Sequence, residues 1–217
     1  VMKPAHGGSR ADAMDRAAAI RSIVSDVIAE AVHSAGAGGV VVLDDWTPEG
    51  ELSYEWLVGA LGEARVWRGA SLASNVHGVE PGDTQLLGAL RFARDRAGLI
   101  AHPATKTALL LGGALPRADV FPLGDLYASQ VTQLAGGWTV PDALATMLRR
   151  MGGVEVLDAA LARLVDRREP APTALAGLDA DDAGEVIRLY ERGRWHRLRP
   201  RLVPRLSART LGVDLFD

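Results

Sequence analysis

Gly38-Gly39-Val40-Val41-Val42-Leu43 is the stretch whose reading decides the fold. Four consecutive apolar residues, three of them β-branched and none alternating with a polar neighbour, read as a short strand covered on both faces, as in a parallel sheet. Before it, Ile20, Ile23, Val24, Val27 and Ile28 recur at helical spacing and predict an amphipathic helix over 11–34, stopped by Gly36 and Gly38-Gly39. After it, 44–51 reads as a polar turn and 52–61 as a short helix ending at Gly62. Strands are expected at 65–67 and 99–101, separated by a loop over 70–82 and a helix from Asp83 or Thr84 to about 97. A helix over 105–111 and a short strand at Val120-Phe121 follow. The second half then reads as helices at 125–134, 141–151, 154–165 and 181–192, with a linker at 170–172. Alternation of strand and helix followed by helices alone predicts an α/β fold: a Rossmann-like parallel sheet with helices on both faces and a helical C-terminal part. Residues 1–10 read as a flexible tail and 11–217 as a single domain, with an Arg-rich segment at 188–217.

Composition narrows the function. The 217 residues are 48% apolar and 24% charged, enough for one sizeable core and far from a disordered composition. A net charge of −3 argues against a surface built to coat nucleic acid. The absence of cysteine excludes disulfides, thiolate metal sites and thiol catalysis. No apolar run reaches the roughly 20 residues of a bilayer span, and 1–10 has no apolar leader, so the expected setting is cytoplasmic with no membrane partner. Of the 24 basic residues only Lys3 and Lys106 are lysine, which makes Lys106 conspicuous.

Lys106-Thr107-Ala108-Leu109-Leu110-Leu111-Gly112, followed by Asp119-Val120-Phe121-Pro122-Leu123-Gly124-Asp125-Leu126-Tyr127-Ala128-Ser129-Gln130-Val131, resembles the NAD synthetase family, ATP-dependent amide ligases of the N-type ATP pyrophosphatase group. Three further segments match in family order. They are Ala93-Arg94-Asp95-Arg96-Ala97, then Tyr190-Glu191-Arg192 to Trp195-His196-Arg197, and finally Ser207-Ala208-Arg209-Thr210-Leu211-Gly212. The resemblance implies adenylation of nicotinic acid adenine dinucleotide by ATP, with Mg²⁺ on the leaving pyrophosphate, then attack by ammonia to give NAD. It also implies a homodimer with a dinucleotide site, and ATP and Mg²⁺ as cofactors only if the family activity survives. As nucleotide- or substrate-binding candidates it marks Thr105, Lys106, Asp119, Asp125, Arg94, His196 and Arg197.

The chain departs from that family where phosphate chemistry is expected. The family's first strand leads into S-G-G-x-D-S; the ungapped register here gives Trp46, Thr47, Pro48, Glu49, Gly50 and Glu51. Pro48 has no N–H to donate, and the acids Asp44, Asp45, Glu49 and Glu51 repel a triphosphate. Ala108 stands where the resemblance implies a glutamate ligand for Mg²⁺, and Ala128 where it implies a lysine. The stretch between Trp67 and Ala93 is too short for the additional strand and helix of the family.

Each residue has a plain structural reading beside the functional one. Lys106 reads as a phosphate contact at a helix N-terminus or a solvated surface lysine. Asp125 reads as a substrate ligand or, preferably, the N-cap of the next helix. The acids of 44–51 read as a cation site or, preferably, a solvated turn. The arginines from Arg188 onward read as a polyanion site or, preferably, as partners for the acids of a second subunit. His33, His77 and His102 are not spaced as metal ligands, so no metal site is expected. Trp56 and Trp67 read as core residues. The functional expectation is an NAD synthetase-like protein impaired in catalysis. The rival readings are an active ammonia-dependent NAD synthetase with a rearranged ATP site, and a regulatory module that binds a dinucleotide or a polyanion.

Overall fold

The computed structural model describes residues 10–43, 46–72, 81–111, 118–193 and 202–206. The expectations for the 1–10 tail, Asp44, Asp45, His77, His196, Arg197 and the 207–212 segment lie outside these residues, apart from Arg10. Helix α1 (Arg10–Ser34) leads into β1 (Val40–Val42), then α2 (Pro48–Leu61) and β2 (Val66–Arg68). Helix α3 (Pro81–Asp95) and β3 (Leu99–Ala101) follow, then α4 (Lys106–Leu111), α5 (Ala128–Ala135), α6 (Asp142–Met151), α7 (Val154–Leu161), α8 (Ala171–Ala174) and α9 (Ala180–Arg192).

The strands form a parallel sheet of order β2-β1-β3, with Val41 opposite both Trp67 and Ile100. Two single-residue parallel bridges carry the sheet further, from Ala101 to Val120 and from Val120 to Leu202. This is the Rossmann-like α/β architecture expected from the sequence. Successive strand residues point to opposite faces. Val40 and Val42 pack with Val24, Ile28 and Val32 of α1 and Trp56 and Leu57 of α2. Val41 and Ile100 pack on the other face with Ala89 and Ala93 of α3. A third cluster joins Leu109, Leu110 and Leu111 to Met147, Leu157, Leu161, Val186 and Leu189, which builds the helical C-terminal part. Trp56 is a core residue as expected; Trp67 is half-buried, edge-on to Phe92 with centroids 5.1 Å apart.

The glycines before β1 have separate tasks. Gly36 sits at φ 61°, a left-handed position that ends α1. Gly39 lies against β2: a Cβ there would meet the Arg65 carbonyl oxygen at 2.2 Å and the Trp67 ring at 2.7 Å. Strand and neighbour can approach only because the side chain is missing.

Several expected boundaries move, each for a physical reason. Helix α2 begins at Pro48 rather than 52, because Thr47 caps it: its Oγ1 accepts from Gly50 N–H at 3.0 Å, and proline fits the first turn without losing a bond. The second half of the expected turn over 44–51 is therefore helix. Helix α3 begins at Pro81, ahead of the expected Asp83 or Thr84. Helix α5 begins at Ala128, with Tyr127 as N-cap and Gln130 closing the capping box, so Asp125 is not the cap. The 154–165 helix is α up to Leu161 and then widens into a π turn over Ala162–Asp166. The linker at 170–172 contains the start of α8.

Lys106 is fully buried and is not a solvated surface lysine. Its Nζ donates to Asp125 Oδ1 at 3.1 Å and to Asp166 Oδ1 at 2.8 Å. The Tyr127 hydroxyl donates to Asp166 Oδ2 at 3.0 Å, and Leu206 N–H donates to Asp125 Oδ2 at 2.6 Å. Burial first, then the Asp166 charge, push the Tyr127 hydroxyl far above its ordinary titration range, so it remains a donor. Beside this network Thr107 Oγ1 donates to Asp158 Oδ1 at 2.6 Å and accepts from Ala128 N–H at 2.9 Å, while Ser129 N–H donates to Asp158 Oδ2 at 2.7 Å. Burial raises the Asp158 carboxyl above its usual range in spite of those donors.

Two variants test this framework by urea denaturation. Gly39→Ala forces β1 from β2 and is expected to lower the unfolding free energy by about 1–3 kcal/mol. Lys106→Met leaves two carboxylates without their cation and is expected to cost about 3–5 kcal/mol, whereas a lysine serving only a ligand would change stability by less than about 0.5 kcal/mol.

Candidate functional site

In an open parallel sheet, ligands bind beyond the carboxyl ends of the strands where the chain reverses its direction of travel across the sheet. Here the chain leaves β1 for β2 on one side and crosses back to β3 on the other. A crevice of about 210 Å³ lies at that point. Trp46, Thr47 and Glu49 line it from the segment after β1 and the first turn of α2. His102, Pro103 and Ala104 line it from the segment after β3, joined by Ala108 of α4. Trp138, Thr139 and Pro141, ahead of α6, complete the wall.

Local structure fixes the polar groups. Glu49 is buried, although the sequence reading favoured a solvated turn for its acids. Thr139 N–H donates to both of its carboxylate oxygens, at 3.2 and 3.1 Å, and Thr139 Oγ1 donates at 3.3 Å. A carboxylate in the first turn of α2 also offsets the positive end of that helix. His102 is buried, and its Nδ1 accepts from Ala104 N–H at 3.1 Å, which assigns the ring proton to Nε2. Trp46 is 71% exposed at the rim. Among the described residues the lining contains one carboxylate and one imidazole, and neither lysine nor arginine.

The candidates from the sequence divide between this crevice and the framework. Trp46, Thr47, Glu49 and Ala108 come together in it. Pro48 and Gly50 form the first turn of α2. Glu51 instead pairs with Arg68 through two bonds of 2.6 and 2.8 Å, and that guanidinium holds its carboxyl below the usual range. Lys106 and Asp125 meet in the buried network. Thr105 Oγ1 accepts from Ala108 N–H at 3.3 Å and stabilises the first turn of α4. Asp119 Oδ2 accepts from Ile100 N–H at 2.9 Å, which fastens the chain to the edge of β3. Arg94 is 82% exposed at the end of α3, beside Asp95 at 3.8 Å. Arg188, expected to face a second subunit, pairs within its own helix with Glu185 at 2.8 Å.

The sequence reading missed the site roles of His102, Trp138 and Thr139. For His102 a signal existed: it immediately follows the third strand, at the carboxyl end where parallel sheets place ligands. Trp138 and Thr139 had none, since only the fold carries them back to α2. Among the described residues, no cluster of three or more histidine, aspartate or glutamate side chains could hold a metal ion.

No family model matches the sequence, and no curated protein is similar to it at a significant level. Solved structures are similar. The NH3-dependent NAD synthetase from Campylobacter jejuni in complex with the nitrate ion superposes with a TM-score of 0.59 at 13% identity, over 86% of this chain and 98% of that one. The glutamine-dependent NAD+ synthetase from Acinetobacter baumannii in complex with ADP gives a TM-score of 0.46 at 18% identity, over 99% of this chain and 50% of that one. The first of these shows that the chain has an NAD synthetase-like fold.

Proposed function

We propose that this NAD synthetase-like protein no longer carries out ATP-dependent amidation. The observation that carries the reading is the turn after β1, where the resemblance implies a loop that grips pyrophosphate. Pro48 offers no N–H there. The N–H of Gly50 is bound to Thr47 Oγ1 at 3.0 Å, and that of Glu51 to the Thr47 carbonyl at 2.8 Å. Glu49 lines the crevice with a negative charge of its own. At an effective dielectric of ~20 and ~4 Å separation, one like-charge contact with a phosphate oxygen costs about 4 kcal/mol. The lysine that the resemblance marks as a phosphate contact is held by Asp125 and Asp166.

The described residues do not fit the Mg²⁺ that the family chemistry requires. Ala108 presents a methyl group where the resemblance implies a carboxylate, and both Glu49 oxygens already accept from Thr139. Mg²⁺ asks for octahedral oxygen ligands, including one or two carboxylates beside substrate phosphates. A homodimer and a retained dinucleotide site belong to the same reading through the resemblance, and the cytoplasmic setting expected from the sequence is kept with it.

Calorimetry with Mg–ATP, followed by an assay for NAD from the deamido dinucleotide with ATP and ammonia, tests it. The expected result is no Mg–ATP binding at millimolar concentration and no NAD formed. Micromolar ATP binding with ammonia-dependent turnover would overturn the proposal and establish an active ligase with a rebuilt phosphate site.

A further inference from the structure

The crevice that is ill-suited to phosphate has a chemical character of its own. Its wall combines two indoles, Trp46 and Trp138, with one buried carboxylate, Glu49, and the apolar surfaces of Pro103, Ala108 and Pro141. Trp46 keeps 71% of its surface exposed at the rim, a large apolar side chain held in solvent where a ligand would cover it. Glu49 is only 7% exposed, so its charge acts in a medium of lower dielectric than water. Among the described residues its hydrogen bonds come from Thr139, a neutral residue whose donors do not neutralise it. Among the described lining residues there is no lysine or arginine, and the described wall is acidic and aromatic.

That combination selects one class of ligand. Indole faces attract cations through the ring quadrupole, and most strongly when the cation is weakly hydrated. A hard metal ion needs several oxygen ligands, which one carboxylate does not supply. A phosphate or carboxylate ligand meets the Glu49 charge. A neutral apolar ligand would use the indoles and leave the carboxylate without a counter-charge. We infer that the crevice between the carboxyl ends of β1 and β3 binds a small organic cation, an ammonium or quaternary ammonium group, against Trp46 and Trp138 with Glu49 as its counter-charge. A cavity of about 210 Å³ limits the buried part to a compact head group. This assignment rests on the reading that the crevice has ceased to hold ATP phosphates.

The test uses the full chain, with tryptophan fluorescence and calorimetry as readouts. The probes are choline and 3,3-dimethylbutan-1-ol, the same shape with carbon in place of the charged nitrogen. Choline is expected to bind saturably and to perturb the fluorescence, and the neutral isostere about tenfold more weakly or worse. Glu49→Gln keeps an oxygen for Thr139 N–H and is expected to bring choline down to the level of the isostere. Ala108→Leu fills the crevice without removing a polar contact and is expected to abolish binding of both, with circular dichroism verifying the fold. Equal affinity for the two probes, or choline binding indifferent to Glu49→Gln, would overturn the assignment. Mg–ATP on the same sample separates the two proposals. Its binding overturns the loss of the ATP site, whereas silence from choline and ATP alike overturns the cation site alone.

Discussion

The C-terminal half of this molecule is organised around one ammonium group. Lys106 enters from the first turn of α4 and meets Asp125, from the loop before α5, and Asp166, from the widened turn after α7. Asp125 passes the constraint on to the 202–206 segment through Leu206 N–H, and Asp166 passes it on to the Tyr127 hydroxyl. A buried cation between two carboxylates is costly to desolvate and more costly to break, so each of these segments has one permitted position. The π turn has the same logic. It ends at Asp166, whose Oδ1 lies 2.8 Å from Lys106 Nζ.

The crevice depends on that framework indirectly. Ala108 follows Lys106 by two residues on α4 and is positioned by the same anchored turn. His102, Pro103 and Ala104 lie between β3 and that turn, and His102 N–H is bound to the Val120 carbonyl at 3.0 Å. The opposite wall is held by α2, which Glu49 ties to the segment before α6. The crevice is thus shaped by fixed backbone on both sides.

Much of the fold was legible because the signals were local. Val40-Val41-Val42 reads as a doubly covered strand, being short, β-branched and preceded by glycines, and the spacing of Val24 and Ile28 marked the buried face of α1. Helix starts were legible only in part, since a proline at the first turn also reads as a loop; that is how α2 lost its opening residues to an expected turn. At the site, Trp46, Thr47, Glu49, Lys106 and Ala108 were singled out by comparison with a family pattern, but their environments were not. Nothing near Lys106 in sequence announces Asp166, 60 residues away, and nothing near Glu49 announces Thr139, 90 residues away. Long-range pairing of this kind is settled by tertiary packing and leaves no spacing to read.

The last rung of the sheet has a consequence for the order in which the molecule forms. Leu202 N–H binds the Asp119 carbonyl, Phe121 N–H binds the Leu202 carbonyl, and Leu206 N–H closes onto Asp125, 81 residues back. During synthesis the β1–β3 sheet and its helices emerge first, and the long loop between Asp125 and Leu206 must close before the buried carboxylate accepts from Leu206 N–H. Until the 202–206 segment docks, Val120 lacks its neighbour on the Leu202 side. The 202–206 segment is therefore a late-closing element: the sheet edge at Val120 stays open to other backbones until Leu202 docks on it.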